Sequence, residues 1–305
     1  MSDRLKVIFA YVAICTIWGS TWLVIKVGLD FIPPLLGAGF RFVVASAILY
    51  GIIRYRGIPV PFDRQSRWYY VTVSMTAFAV PFALVYWGEQ KIASGVTSIL
   101  FAVYPFFVAI MSALFLKNEK LTLYKIGGIV LGFAGIVTIF WNDIQISAST
   151  ESILGMLAVI LSAVFQSVSA VVIKKQGHNI SPVVTTFMPM LISAMVLLVS
   201  GILLERLSDI TINVPSVFSV LYLGILGSVV TFVSYFWLIK RVEVVLLSLT
   251  SFVTPIIAVV LGIIVLNEQI SSQLFAGAGM VLLGIVTANA PELTSLIRKK
   301  IAVSR

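Results

Sequence analysis

Long runs of apolar residues alternate with short polar segments along the whole chain. Each run is about twenty residues long, the length that an α-helix needs to cross a ~30 Å hydrocarbon layer. The runs are continuous, whereas membrane β-strands alternate apolar and polar residues over about ten positions, so helices are predicted. We predict ten spans, at residues 7–27, 35–53, 68–88, 95–116, 121–140, 153–173, 182–204, 217–239, 244–266 and 273–290. The expected fold is an all-α polytopic membrane protein.

The basic residues are distributed unevenly between the two ends of these spans. If the N-terminus is cytoplasmic, seventeen of the 21 lysines and arginines fall in cytoplasmic segments, three fall in outer segments and Arg41 lies inside a span. Such an excess of lysine and arginine is typical of cytoplasmic loops. Both termini are therefore predicted to be cytoplasmic. The net charge of +9 is spread over several short segments, which argues against nucleic-acid binding.

The same order of polar and turn residues occurs twice. Three examples, separated by 148 to 150 residues, are Lys26 and Lys174, Pro105 and Pro255, and Asn118-Glu119 and Asn267-Glu268. Because each copy holds five spans, the second copy must be inverted in the membrane. We predict a first five-helix repeat at residues 1–142 and an inverted second repeat at residues 143–305, which ends in a short basic cytoplasmic tail. Inverted repeats are a recurring plan of secondary transporters, which hold the substrate where the repeats meet.

These features together resemble the drug/metabolite transporter superfamily, specifically its EamA-type members. The residues that carry the resemblance are Trp18-Gly19-Ser20-Thr21, Arg41-Phe42, Tyr104-Pro105, Thr254-Pro255, the two Asn-Glu pairs and the glycines of spans five and ten. The resemblance implies export or facilitated passage of small metabolites such as amino acids, without a cofactor. The second copy departs from the first in span six, where Phe165-Gln166-Ser167 replaces Trp-Gly-Ser, and in span seven, where Pro189 replaces Arg41.

Polar and aromatic side chains inside the spans are the candidates for substrate contact, because polar groups in lipid must pair or line a wet cavity. Arg41 either reaches outward, bonds backbone carbonyls or binds a substrate carboxylate. Each serine and threonine alone favours a bond to its own helix. We expect a cavity between spans one, three and four and spans six, eight and nine. Its predicted substrate-binding residues are Trp18, Thr21, Arg41, Tyr86, Tyr104, Gln166, Thr231, Tyr235 and Ser251, and Ser98, Ser167 and Ser248 are weaker candidates.

Prolines and carboxylates add two expectations about movement and coupling. Pro105 and Pro255 occupy matching positions in spans four and nine, and we predict that they act as hinges. Glu119 and Glu268 are expected to cap the helices that follow them. Glu89 lies near the outer end of span three, and the sequence places no acidic residue deep in a span. Facilitated diffusion or exchange is therefore favoured, with Glu89 left open as a coupling group.

Two rival functions differ in what the sequence must contain. A membrane enzyme needs clustered catalytic or metal-binding residues, whereas the only histidine, His178, lies in a predicted cytoplasmic loop and the only cysteine is Cys15. A sensor or structural membrane protein would not require inverted symmetry. We predict no catalytic residue, no metal and no cofactor. The expected partners are a small-molecule substrate and the lipid bilayer of the cytoplasmic membrane. The sequence is compatible with a monomer and does not determine the oligomeric state.

Overall fold

A computed structural model describes residues 3–116, 121–146, 149–176, 180–238, 250–269, 271–291 and 294, and these residues form helices joined by short turns. We number the helices in chain order. They are α1 (Asp3–Leu29), α2 (Pro34–Arg56), α3 (Arg64–Glu89), α4 (Ser94–Phe115), α5 (Leu123–Ile146), α6 (Thr150–Gln176), α7 (Pro182–Leu204), α8 (the consecutive segments Val214–Gly224, Ile225–Val230 and Thr231–Leu238), α9 (Thr250–Leu266) and α10 (Ser272–Ala288).

Seven of these helices, namely α1, α2, α3, α4, α6, α7 and α8, contain stretches long and apolar enough to cross a membrane within the described part of the chain. The other three contain shorter apolar stretches, at Leu123–Ile139, Val253–Leu266 and Ser272–Ala288. The all-helical membrane fold is therefore as expected. The count of ten spans stays a prediction.

Local sequence explains where several helices begin. The Asp63 carboxylate accepts hydrogen bonds from the backbone nitrogens of Gln65 and Ser66 and so caps α3. Asn213 and Ser216 form a reciprocal capping box at the start of α8. Proline opens α2 and α7, where its missing N–H is not needed by the helix.

Within the described residues, three helices depart from regular geometry inside their spans. α3 contains a π-helical segment at Ser74–Ala79, which Val80 separates from Pro81, and α8 contains one at Ile225–Val230. α4 is interrupted after Phe101 and resumes at Tyr104. Such interruptions free backbone groups that need other partners in a membrane, and they often mark functional positions.

Helices from the first part of the chain pack mostly against helices from the second part. The main pairs are α1 with α8 and α9, α2 with α7 and α8, α3 with α6 and α7, α4 with α6 and α9, and α5 with α10. α5 and α10 meet through glycines: a Cβ added to Gly135 would lie 2.5 Å from the carbonyl oxygen of Gly277. These glycines thus allow the backbones of α5 and α10 to approach closely.

One end of the bundle, here called the Lys26 end, is formed by the turns near residues 30–33, 90–93, 205–213 and 267–271. The charge distribution predicts that this end faces outward. Contacts at this end join the two parts of the chain.

Candidate functional site

Trp18 lies at the contact between α1 and α8. Its ring centroid is 5.6 Å from that of Tyr235 and 5.7 Å from that of Phe232. Trp18 and Tyr235 both remain partly exposed within the described structure. Two predicted site residues, 217 positions apart in the chain, thus form one aromatic surface.

A second set of rings continues this surface from α1 to α4. Trp22 lies 5.4 Å from Phe101, and Phe101 stacks on Tyr104 with an interplanar angle of 7°. Tyr104 follows directly after the interruption of α4, so the break determines the position of its ring. We call Trp18, Trp22, Phe101, Tyr104, Phe232 and Tyr235 the aromatic cluster.

Further rings extend from the aromatic cluster into the buried core. Phe232 contacts Phe78 at 5.5 Å, and Phe78 lies 6.3 Å from Phe82, which is 6.5 Å from Tyr86. The hydroxyl of Tyr86 is buried and has no hydrogen-bond partner among the described residues. The Tyr86 ring borders a small cavity whose other walls come from α1, α2 and α8.

Arg41 is buried rather than extended toward the membrane surface. Its Nε donates to the Ser228 hydroxyl at 2.9 Å, and its Nη2 donates to the carbonyl oxygen of Gly227 at 2.9 Å. The guanidinium carbon also lies 4.8 Å from the centre of the Phe82 ring. Of the alternatives raised by the sequence, the bond to a backbone carbonyl is observed. The acceptor belongs to the π-helical segment of α8, so Arg41 joins α2 to that irregular backbone.

Two predicted threonines lie beside the same segment. Thr231 donates its hydroxyl to the Gly227 carbonyl oxygen at 2.9 Å, the oxygen that Arg41 also contacts. Thr21 bonds the carbonyl oxygen of Trp18 at 2.7 Å, and its methyl group would be 2.9 Å from a Cβ added to Gly227. Thr21, Arg41 and Thr231 are therefore brought together around Gly227, and the hydroxyls of the two threonines donate to backbone carbonyls.

The remaining predicted residues lie elsewhere. Gln166 on α6 and Ser251 on α9 are partly exposed, and in the described part of the chain neither side chain hydrogen-bonds to another predicted site residue. Ser98 and Ser167 bond carbonyls of their own helices. Ser248, Glu119 and His178 lie outside the described residues.

The two predicted hinge prolines have different surroundings. Pro105 lies in the first turn of the second part of α4, just after the interruption, whereas Pro255 lies inside the unbroken helix α9. The matching positions thus produce a helix break in one copy and a continuous helix in the other.

Carboxylates from the second part of the chain cap helices of the first part at the Lys26 end. Glu205 accepts hydrogen bonds from the backbone nitrogens of Leu35 at 2.8 Å and Leu36 at 3.0 Å, at the start of α2. Glu268 accepts from the nitrogen and hydroxyl of Ser94, each at 2.7 Å, at the start of α4.

The expectation that Glu268 caps the following helix was wrong: Ser271 caps α10. Asn267, with φ of 52°, turns the chain so that Glu268 reaches α4.

Two further contacts join the parts of the chain at this end. Lys91 forms an ion pair with Glu151 at 2.7 Å, and the backbone nitrogen of Thr211 donates to the carbonyl oxygen of Phe31 at 2.9 Å. The Lys26 end is therefore closed in this structure by contacts between residues before position 142 and residues after it.

At the same end, Lys26 contacts the backbone of Glu89 rather than its carboxylate. The Lys26 ammonium donates to the backbone oxygens of Glu89 at 2.6 Å and Ile92 at 2.9 Å. It thus satisfies carbonyls at the C-terminal end of α3, where a positive charge is favourable. The Glu89 side chain is fully buried, and neither carboxyl oxygen has a hydrogen-bond partner among the described residues. The sequence indicated that Glu89 lies near the end of a span but did not reveal this burial.

Several contacting residues were missed by the sequence analysis. Phe78, Phe82, Phe101 and Phe232 read as ordinary apolar residues, and only their ring contacts distinguish them. Tyr222 and Ser228 are polar residues inside spans, so a complete survey of such residues would have included them. The Tyr222 hydroxyl lies 2.6 Å from the hydroxyl of Ser20, which the sequence resemblance already includes. Glu205 lies in a predicted loop, and no sequence signal points to its partner on α2.

No group of three or more histidine, cysteine or carboxylate residues that could hold a metal ion occurs within the residues that the structure describes. The site consists instead of aromatic rings, hydroxyls and one buried guanidinium. Such a surface suits an amphipathic molecule that offers an apolar or cationic group to the rings.

Comparison with known proteins finds one matching family and several relatives of similar length. The sequence profile of the EamA-like transporter family matches residues 5–141 and 153–290. The uncharacterized transporter YoaV of Bacillus subtilis is 28% identical over 280 residues, covering 92% of this chain and 95% of that protein. Protein PagO of Salmonella typhimurium is 29% identical over 271 residues and 88% of both chains. The uncharacterized inner membrane transporter YedA of Escherichia coli is 28% identical, covering 91% of this chain and 88% of that protein.

A solved crystal structure shares the fold. It aligns with a TM-score of 0.68 at 19% sequence identity, covering 93% of this chain and 96% of the other. At this identity the likeness concerns the arrangement of helices alone.

Proposed function

Because this chain belongs to the EamA-like transporter family of the drug/metabolite transporter superfamily, we propose that it moves small metabolites across the cytoplasmic membrane by alternating access. The family and two of the three relatives, YoaV and YedA, are named for transport rather than for an enzymatic reaction. The long apolar helices make the protein a multi-pass membrane protein. Efflux or facilitated exchange of amino acids or related amphipathic compounds is the specific activity that we propose.

The observation that carries this proposal is the pairing of Trp18 with Tyr235 across the two parts of the chain. Partly exposed aromatic rings at a helix interface inside a membrane protein provide a surface on which an apolar or cationic group can stack. Tyr104 lies on α4 and Thr21 lies on α1, the two helices that extend this surface. Arg41 is proposed to position the π-helical segment behind it, because its described hydrogen bonds are to Gly227 and Ser228.

The pattern of helix packing supports two inverted repeats at residues 1–142 and 143–305. If the two repeats are equivalent, each helix corresponds to the one five places further along, and each helix contact should have a matching contact. The contact α1–α9 then corresponds to α6–α4, α1–α8 corresponds to α6–α3, and α2–α8 corresponds to α7–α3. All of these pairs occur, and α2–α7, α4–α9 and α5–α10 correspond to themselves. The π-helical segments of α3 and α8 also correspond in this way. One chain thus supplies both halves of a transport site, and a monomer suffices.

The contacts at the Lys26 end support alternating access. The charge distribution predicts that this end faces outside, so the structure is proposed to represent a state closed to the outside. Closure depends on a few polar contacts between the halves, chiefly Glu205 with α2 and Glu268 with α4. Such contacts can break and reform without loss of the helices themselves. The break at Pro105 and the position of Pro255 inside α9 are the proposed bending points.

Flux through reconstituted protein tests this function. Proteoliposomes loaded with an unlabelled metabolite are mixed with the labelled form, over a panel that includes aromatic, aliphatic and basic amino acids. We expect labelled counterflow for at least one member, and we expect Trp18→Ala to reduce it strongly while Trp18→Phe retains more. Trp68→Ala is the matched control, because Trp68 is 65% exposed at the start of α3. Absence of counterflow over the whole panel would favour the rival reading of a sensor or structural membrane protein.

The orientation of the halves is tested separately. A reporter active only outside the membrane, alkaline phosphatase, is fused after residue 142 or after residue 305, and a fluorescent protein that matures in the cytoplasm is fused at the same positions. Inverted repeats predict phosphatase activity at 142 and fluorescence at 305. Cytoplasmic signals at both positions would contradict the inversion.

A further inference from the structure

Glu89 is a buried carboxyl group for which the closed structure provides no partner. It is the last residue of α3, its side chain is 0% exposed, and neither oxygen accepts a hydrogen bond from any described residue. An ionised carboxylate in such a place is costly, because burial removes its water and nothing replaces the lost hydrogen bonds. Its position at the C-terminal end of a helix adds the negative end of the helix dipole.

The charged groups around Glu89 are already engaged elsewhere. Lys26 and Glu268 are the charged side chains whose fields act on it. Lys26 donates to backbone oxygens, and Glu268 is bonded to the start of α4. On the side of α6, Lys91 and Glu151 form an ion pair with each other at the surface. On its own helix, Tyr86 lies one turn earlier with its hydroxyl unpartnered among the described residues.

Other carboxyls in the described part of the chain differ from Glu89. Glu205 and Glu268 accept hydrogen bonds from helix N-termini, Asp63 caps α3, and Glu151 is paired and 71% exposed. Each of these environments accepts a negative charge. Glu89 is distinguished by complete burial together with two unpartnered oxygens.

We propose that Glu89 is a proton-binding site that couples metabolite export to inward proton movement. A proton neutralises the carboxylate without requiring space, whereas an ammonium group needs room and access that a fully buried side chain lacks. This inference rests on the proposed function, since coupling requires transport. It takes up the coupling role that the sequence left open for Glu89, in place of the facilitated diffusion or exchange that was favoured because no acidic residue lies deep in a span.

The proposed cycle keeps the proton balanced. When the Lys26 end is open, the Glu89 carboxylate takes one proton from the outer solution and becomes a carboxylic acid. Closure of this end, with Lys26 bonded to the carbonyls of Glu89 and Ile92, buries the neutral group. Opening of the opposite end lets the carboxylic acid release its proton toward the cytoplasm, and the substrate leaves in the other direction during the same cycle.

Chemical labelling tests proton binding without any substrate. Dicyclohexylcarbodiimide is an apolar reagent that reacts with protonated carboxyls, and mass spectrometry of peptides locates the adduct. In the purified wild-type protein we expect modification of Glu89 that increases as the pH is lowered, and no modification of Glu151. The Glu89→Gln variant should lose the adduct. Failure of the wild-type Glu89 to react at any pH that preserves the fold would overturn the proposal, irrespective of whether transport has been detected.

Coupling is then measured in proteoliposomes that contain a pH-sensitive dye. An outward gradient of a transported metabolite should drive proton entry in the wild type. We expect Glu89→Gln to retain metabolite counterflow and to lose the dye response to the level of protein-free liposomes, whereas the control Glu151→Gln keeps both. Proton entry at the wild-type rate in Glu89→Gln would refute the assignment. Absence of counterflow in the wild type would instead refute the proposed function, while the labelling result still decides whether Glu89 binds a proton.

Discussion

The carboxylate of Glu268 accepts hydrogen bonds from both the backbone nitrogen and the hydroxyl of Ser94, each at 2.7 Å. These residues are 174 positions apart in the chain. Glu268 follows α9, and Ser94 begins α4, so a residue of one half supplies the N-terminal cap of a helix in the other. The backbone nitrogen of Gly95 donates to the second carboxylate oxygen at 3.1 Å. This capping contact closes the Lys26 end and stabilises α4 at once.

Replacement of Glu268 should therefore weaken the closed structure. Glu268→Ala removes the acceptors of three hydrogen bonds, and we expect the free energy of unfolding to fall by about 1–2 kcal/mol, as for loss of a helix cap. Thermal unfolding of the purified protein in detergent measures this change. Glu151→Ala is the matched control, because an exposed ion pair contributes only about 0–1 kcal/mol. Equal destabilisation by the two variants would contradict the capping role.

The backbone at Asn267 should tolerate glycine better than a branched residue. Asn267 has φ of 52°, in the left-handed region that asparagine and glycine adopt with little strain. Asn267→Gly is expected to be nearly neutral, whereas Asn267→Val should lower stability by about 1–2 kcal/mol. The two melting temperatures, measured side by side, check this order. A Val variant as stable as the Gly variant would show that the turn is not required to place Glu268.

The contact between α5 and α10 should be sensitive to a single methyl group. A Cβ at position 135 would lie 2.5 Å from the carbonyl oxygen of Gly277 and 2.9 Å from the nitrogen of Val281, so Gly135→Ala must push the helices apart. We expect a loss of about 1–3 kcal/mol from overpacking. Gly279→Ala is the control on the same helix pair, because nothing lies within 4 Å of its added Cβ. Thermal unfolding should distinguish the two, and similar melting temperatures would argue against a close contact.

Arg41 is expected to act on structure more than on substrate affinity. Arg41→Lys keeps the charge but cannot donate from two nitrogens to Ser228 and Gly227 in the observed geometry. We predict reduced thermal stability with an unchanged ratio of apparent affinities for a transported amino acid and its methyl ester. Competition of both compounds in the counterflow assay measures that ratio. A selective loss of affinity for the free carboxylate would instead assign Arg41 to substrate binding.

The helices were predictable because hydrophobic length is a local property. The span predicted at residues 182–204 coincides with α7, Pro182–Leu204, since Pro182 starts the helix and the apolar run ends at Leu204. Prediction was less complete for α4, where the apolar run continues through the break after Phe101. The π-helical segments were not predicted either. Apolar composition reports only that a segment lies in the membrane, and it does not report how the backbone is bonded there.

The candidate site was predictable in part. Trp18 and Tyr235 were chosen as polar or aromatic residues inside spans, and the structure brings them into contact. Gln166 and Ser251 satisfied the same criterion and lie apart from that contact. Membership of a span places a residue along the membrane normal, but the direction of its side chain depends on which neighbouring helices pack on each face.

The sequence by itself determined the membrane class and the approximate positions of the helices, and it contains the matching order of polar residues in the two copies. The class and the helix positions follow from the cost of exposing polar groups to lipid, which acts on each segment separately. The tertiary structure alone decided that Glu268 caps α4, that Arg41 bonds the backbone of α8 and that Glu89 is buried without a hydrogen-bond partner among the described residues. These relationships join residues far apart in the chain, and their energies exist only after the helices have packed against one another.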